Sequence, residues 1–72
     1  MNIAILETLT ITSDPNNIAQ VEAFVEDIRV KYNIADDAYG NILISLTEAA
    51  NNAIIHGNGS DPSKTVEMKF RI

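Results

Sequence analysis

Residues 38–56 hold a helical pattern in which Glu48 is the single formal charge, and this scarcity of charge constrains the chain more than any other feature. At about 100° per residue, Tyr39, Ile42, Leu43, Leu46, Ala50, Ala53 and Ile54 cover a broad apolar arc. Asn41, Ser45, Glu48, Asn52 and His56 gather within an arc of about 80°, while Ile44, Thr47, Asn51 and Ile55 fill most of the remainder. A helix on an ordinary protein surface alternates Lys and Glu along its outer side. This one has neither Lys nor Arg, so its apolar arc must be buried and its polar row reads as the wall of a polar cleft. Burying such groups unpaired costs about 1–3 kcal/mol each, so other protein groups, a ligand, an ion or ordered water must satisfy them.

The rest of the chain supplies the layer that helix needs. Residues 3–12 read as a strand, with Ile3, Ile5, Leu9 and Ile11 on one face, Glu7 interrupting it, and Thr8, Thr10 and Thr12 on the other. Thr12-Ser13-Asp14-Pro15 is a helix start in which Ser13 or Asp14 can cap and Pro15 suits the first turn. Ile18, Val21, Phe24, Val25 and Ile28 then repeat at helical spacing, with Glu22, Glu26, Asp27 and Lys31 opposite. Tyr32-Asn33-Ile34 ends this helix, and Asp36 or Asp37 caps the second, which runs to about Ile55. Gly57-Asn58-Gly59-Ser60-Asp61-Pro62 breaks it. Finally Val66, Met68, Phe70 and Ile72 alternate with Thr65, Glu67, Lys69 and Arg71, the mark of a half-buried strand. The expected class is α+β, with the order strand–helix–helix–strand.

Composition excludes several functions. With 72 residues there is one domain or part of one, and with no cysteine neither a disulfide nor a thiolate metal site can staple it. A domain of this size buries only about 60% of its unfolded surface. The net charge of −5, with five Lys and Arg that do not cluster, argues against nucleic acid. The apolar start Met1–Leu6 lacks a basic region and is no signal peptide, and no stretch approaches a membrane span. The chain reads as a cytoplasmic soluble domain. Asn58-Gly59-Ser60 matches a glycosylation sequon but reads as a turn.

Other motifs fail on topology. Gly59 to Thr65 lacks the second glycine of a phosphate loop and runs from helix to strand, the reverse of what that loop requires. Gly57-Asn58-Gly59 is no dinucleotide fingerprint for the same reason. One His without Cys offers no zinc site. A Glu and an Asn four apart also recur in helices with no site, and an imidazole near a helix C-terminus is equally well explained by the helix dipole. Ser45 and Asn41 read as supporting positions or plain helix surface.

Ser45-Leu46-Thr47-Glu48-Ala49-Ala50-Asn51-Asn52-Ala53-Ile54-Ile55-His56-Gly57 resembles the N-box of the histidine-kinase-like ATPases, the superfamily of gyrase, chaperone, histidine-kinase and mismatch-repair ATPases. Its core is Glu, three residues, then Asn-Ala. The Glu-Ala start and the trailing His-Gly resemble the branch of anti-sigma-factor serine kinases. The resemblance implies a two-layer α/β sandwich, of which residues 1–72 would be a single partial domain, the N-terminal half. It implies ATP and Mg2+ as cofactors, with Asn52 as the magnesium ligand, Glu48 as the catalytic general base, and His56 and Gly57 near the nucleotide. The family's adenine-recognising Asp-x-Gly-x-Gly box is absent from this sequence, so the chain by itself is expected to bind ATP weakly or not at all.

The implied activity of the complete domain is phosphorylation of a serine on an anti-sigma-factor antagonist protein, together with binding of a sigma factor. The family commonly dimerises. Two alternatives stand beside it: a non-catalytic module stabilised by nucleotide, and the catalytic domain of a sensor histidine kinase, against which the strand-first layout speaks.

Overall fold

The computed structural model describes residues 5–71. Strand β1 spans Ile5–Thr12, a 3-10 turn covers Pro15–Asn17, helix α1 spans Ile18–Lys31, helix α2 spans Asp36–Asn52, a π-turn covers Ala53–Gly57, and strand β2 spans Thr65–Arg71. The expectations for Ile3 and Ile72, and for the side chain of Ile5, lie outside the described residues. No described helix is long and apolar enough to cross a membrane.

β1 and β2 pair antiparallel, with Leu9 opposite Met68 and Ile11 opposite Val66. Alternation along a pleated strand sends these four to one face and leaves Thr8, Thr10, Thr12, Glu67 and Lys69 exposed on the other. Both helices cover the apolar face. Ile11, Val66 and Met68 from the strands close a core with Val21, Ala50 and Ile54, and Leu9, Ile18, Leu46 and Ala53 pack against it. The molecule measures 34 × 28 × 15 Å, thin enough for one layer of helix on one of sheet. The α+β, two-layer expectation holds.

Glu7, which breaks the apolar pattern of β1, has a specific use. Its carboxylate accepts from Lys31 Nζ at 2.8 Å and from the Tyr32 hydroxyl at 2.9 Å, tying the end of α1 to the sheet. The Lys31 hydrogen bond first, then that of Tyr32, holds the Glu7 carboxyl below the usual carboxylate range. The Tyr32 ring in turn packs on Phe70 of β2 at 5.5 Å. Helix α1 stops because Asn33 takes φ 52°, and Ile34 N–H then reaches back to the Arg29 carbonyl at 3.0 Å. That left-handed residue just past a helix end satisfies carbonyls the helix leaves open.

One local expectation is resolved and two change. Of the two candidate caps, Asp14 is the one used: it accepts from Asn16 N–H at 2.9 Å and opens the 3-10 turn before α1. Neither Asp36 nor Asp37 caps α2; Ala35 holds that position without a side-chain bond, and the two carboxylates sit in the first turn, where the helix dipole favours negative charge. The apolar arc of α2 is only partly covered. Ala50 and Ile54 are buried, but Tyr39, Ile42, Leu43, Leu46 and Ala53 are half-buried; Ile44, which lies beside that arc, is 60% exposed. Width explains this: two strands about 4.8 Å apart present a surface about as broad as one helix of 10–12 Å, and two helices share it.

Candidate functional site

The orientation of α2 follows from where it is pinned. Ala50 and Ile54 are both fully enclosed against the sheet and α1, which leaves Glu48 and Asn52 on the exposed side of the same helix. One helical turn separates them, so carboxylate and carboxamide stand as neighbours on one face. Asn41, Ser45 and His56 are also exposed. Thr47 takes no part, because its hydroxyl donates back to the Leu43 carbonyl at 2.8 Å.

The polar row does not form one cleft wall, which corrects the sequence expectation. Its N-terminal part, Asn41 and Ser45, lines a groove of about 370 Å³ between α2 and β2, together with Ile42, Leu46, Lys69, Phe70 and Arg71. Glu48, Asn52, His56 and Gly57 lie outside that lining. The groove thus combines Ile42, Leu46 and Phe70 with residues of both helix and strand, whereas Glu48 and Asn52 are exposed outside it.

The end of the row is also displaced. Regular α-helix stops at Asn52 rather than near Ile55, and Ala53–Gly57 form a wider π-turn. Asn58 N–H bonds the Ala53 carbonyl at 2.9 Å, five residues back, and Ser60 N–H bonds the Ile54 carbonyl at 2.7 Å. Such a turn inserts an extra residue into the helical spiral. It moves His56 and Gly57 off the line that an unbroken helix would draw from Asn52. Gly59 and Ser60, at φ 59° and 56°, then turn the chain toward β2.

Sequence reasoning placed Asn58 in a turn and Ser13 among two possible caps, and missed the bond between them. Ser13 is completely buried, and its hydroxyl accepts from Asn58 Nδ2 at 2.7 Å. The same amide nitrogen reaches the Thr65 carbonyl at 3.3 Å, and Ser13 N–H donates to the Lys64 carbonyl at 2.8 Å. No periodic signal links two residues so far apart in the chain, and Asn58 by itself looks like any turn residue.

The donor chemistry can be set against a metal. Among the described residues no three His, Cys, Asp or Glu side chains converge on a metal position. A caged zinc or calcium ion usually takes more protein ligands than one Glu–Asn pair supplies. Magnesium differs, since it commonly takes one or two protein oxygens and completes its shell with water and substrate phosphates. An exposed carboxamide beside an exposed carboxylate fits that ion.

A family model described as the histidine kinase-like ATPase domain matches residues 11–72. No curated protein sequence matches the chain.

Proposed function

This chain belongs to the histidine kinase-like ATPase domain family, and from that premise we propose that the exposed face of α2 is the phosphate side of a Mg-ATP site in an anti-sigma-factor-type serine kinase. The observation that carries the reading is the Glu48–Asn52 pair, one turn apart and accessible on a helix whose opposite side is locked by Ala50 and Ile54. Asn52 would hold the magnesium through its carboxamide oxygen. When bound, that ion neutralises phosphate charge. In this reading Glu48 would hold the proton of an attacking serine hydroxyl, and His56 and Gly57 would lie near the nucleotide. The kinase reading gives Glu48 a role; a module that only holds nucleotide needs Asn52 but no base. The protein substrate is then an anti-sigma-factor antagonist, and the sequestered partner a sigma factor.

In the complete domain, Glu48→Ala should retain Mg-ATP while phosphoryl transfer to the antagonist falls by about 100-fold or more, the usual contribution of a positioned base. Unchanged transfer would remove Glu48 from this role. The exposed apolar side chains Val30 and Ile44, at 71% and 60%, favour a second reading as a non-catalytic protein-binding module. That reading gains if the partner is captured stably and no phosphoserine forms under saturating ATP.

A further inference from the structure

We infer that Asn58 is a positioning residue, clamping the π-turn to the ends of both strands and so fixing where the Asn52–Gly57 end of the polar row sits. The inference rests on the nucleotide reading of α2, but its geometry stands apart from it. Asn58 joins four segments at once. Its N–H closes the π-turn on Ala53 at 2.9 Å, and its carbonyl accepts from Asp61 N–H at 3.1 Å. Its side-chain nitrogen spends one proton on Ser13 Oγ at 2.7 Å and the other on the Thr65 carbonyl at 3.3 Å. Ser13 lies at the end of β1 and Thr65 at the start of β2, so one carboxamide measures the distance from the π-turn to the sheet.

The burial of Ser13 makes the clamp specific. Its hydroxyl is removed from water and is satisfied, as are the other buried side-chain polar atoms among the described residues. If Asn58 moves, that hydroxyl is stranded, which opposes the movement. A π-turn is a rare single-turn insertion in an α-helix, and this one has support from outside itself. Asn58 supplies that support one residue past the turn. Asn52 borders the same turn on its other side, so any slackening there is transmitted to its carboxamide.

Amide hydrogen exchange on the 15N-labelled chain, and nucleotide titration of the same residues in the complete domain, test this. With Asn58→Ala, the amides of Asn58 (now Ala) and Ser60 should lose protection at least tenfold more than those of the β1–β2 ladder. Affinity for a non-hydrolysable Mg-ATP analogue, read from the shift of the Asn52 side-chain amide at millimolar ligand, should fall at least fivefold. Asn58→Asp, which keeps the size and accepts from the Ser13 hydroxyl, should recover part of both losses. Uniform loss of protection across turn and ladder would overturn the inference, as would local loss with unchanged affinity. If Asn58→Ala does not fold, Ser13→Ala removes only the acceptor, and the same comparison of turn with ladder decides. Absence of any Asn52 shift in the unmutated complete domain would defeat the nucleotide reading, while the exchange comparison would still decide whether Asn58 holds the turn.

Discussion

Replacing Ile54 by alanine probes the residue that aims the whole second helix. Ile54 is fully enclosed, while its neighbour Ile55 is 45% exposed. Truncating Ile54 removes three carbons from the core, about 2.4 kcal/mol of transfer free energy at roughly 0.8 kcal/mol per carbon. The cavity left behind adds to this, since isoleucine-to-alanine changes in closed sites cost about 2–5 kcal/mol. A loss of about 3–4 kcal/mol is therefore expected, against a total stability of roughly 4–11 kcal/mol for a chain this long. Ile55→Ala removes the same atoms from a half-open site and should cost only about 1–1.5 kcal/mol. Urea unfolding followed by far-ultraviolet circular dichroism measures both. In thermal terms Ile54→Ala lowers Tm by roughly 12–32 °C, at about 4–8 °C per kcal/mol for a domain of this size. Equal costs at the two positions, or a larger one at Ile55, would refute the orientation of the π-turn and with it the outward aim of Asn52.

Further predictions concern the ties around the sheet. The folded Glu7 carboxyl is held below its ordinary value of 4.5, so its contribution is present above that pH and is lost as pH falls through the lowered value. The acid side of a Tm–pH profile should flatten in Glu7→Gln. The raised Lys31 ammonium works in the opposite sense: its contribution is complete below its ordinary value of 10.5 and fades as pH rises through the raised one. Asp14→Ala removes the cap of the turn before α1 and should cost about 0.5–2 kcal/mol in urea unfolding. At Asn33, whose φ is 52°, glycine should be neutral or stabilising and valine should cost about 1–2 kcal/mol.

The elements themselves were legible because each has a local signature. Val66 and Met68 alternate with Thr65, Glu67 and Lys69, and the structure buries the first pair and exposes the others. Val21, Val25 and Ile28 are buried as their helical spacing requires. Periodicity fails where the answer depends on what lies opposite. The wheel of α2 cannot know that two strands are too narrow to cover Ile42, Leu43 and Leu46 completely. It cannot see the π-turn either, since Ala53, Ile54 and Ile55 would suit an α-helix equally well. Glu7 looked like a defect in a strand face until Lys31 and Tyr32 arrived from the far end of α1. At the site, the Glu48–Asn52 adjacency follows from spacing alone, whereas the separation of Asn41 and Ser45 into a groove with Lys69 and Arg71 needed the third dimension.

The central claim, that Asn52 holds the metal of a metal–nucleotide complex, is tested most directly by paramagnetic broadening with Mn2+ in place of Mg2+. Trace Mn2+ added with excess ATP should broaden the Asn52 side-chain amide and the backbone amides of Glu48 and Asn52 first. Without nucleotide those signals should remain sharp, and in Asn52→Ala the Glu48 backbone amide should remain sharp, while the exposed carboxylates Asp36 and Asp37 show only weak, nonspecific effects. Broadening centred on Asp36 and Asp37, or broadening at Glu48 that survives Asn52→Ala unchanged, would contradict the account.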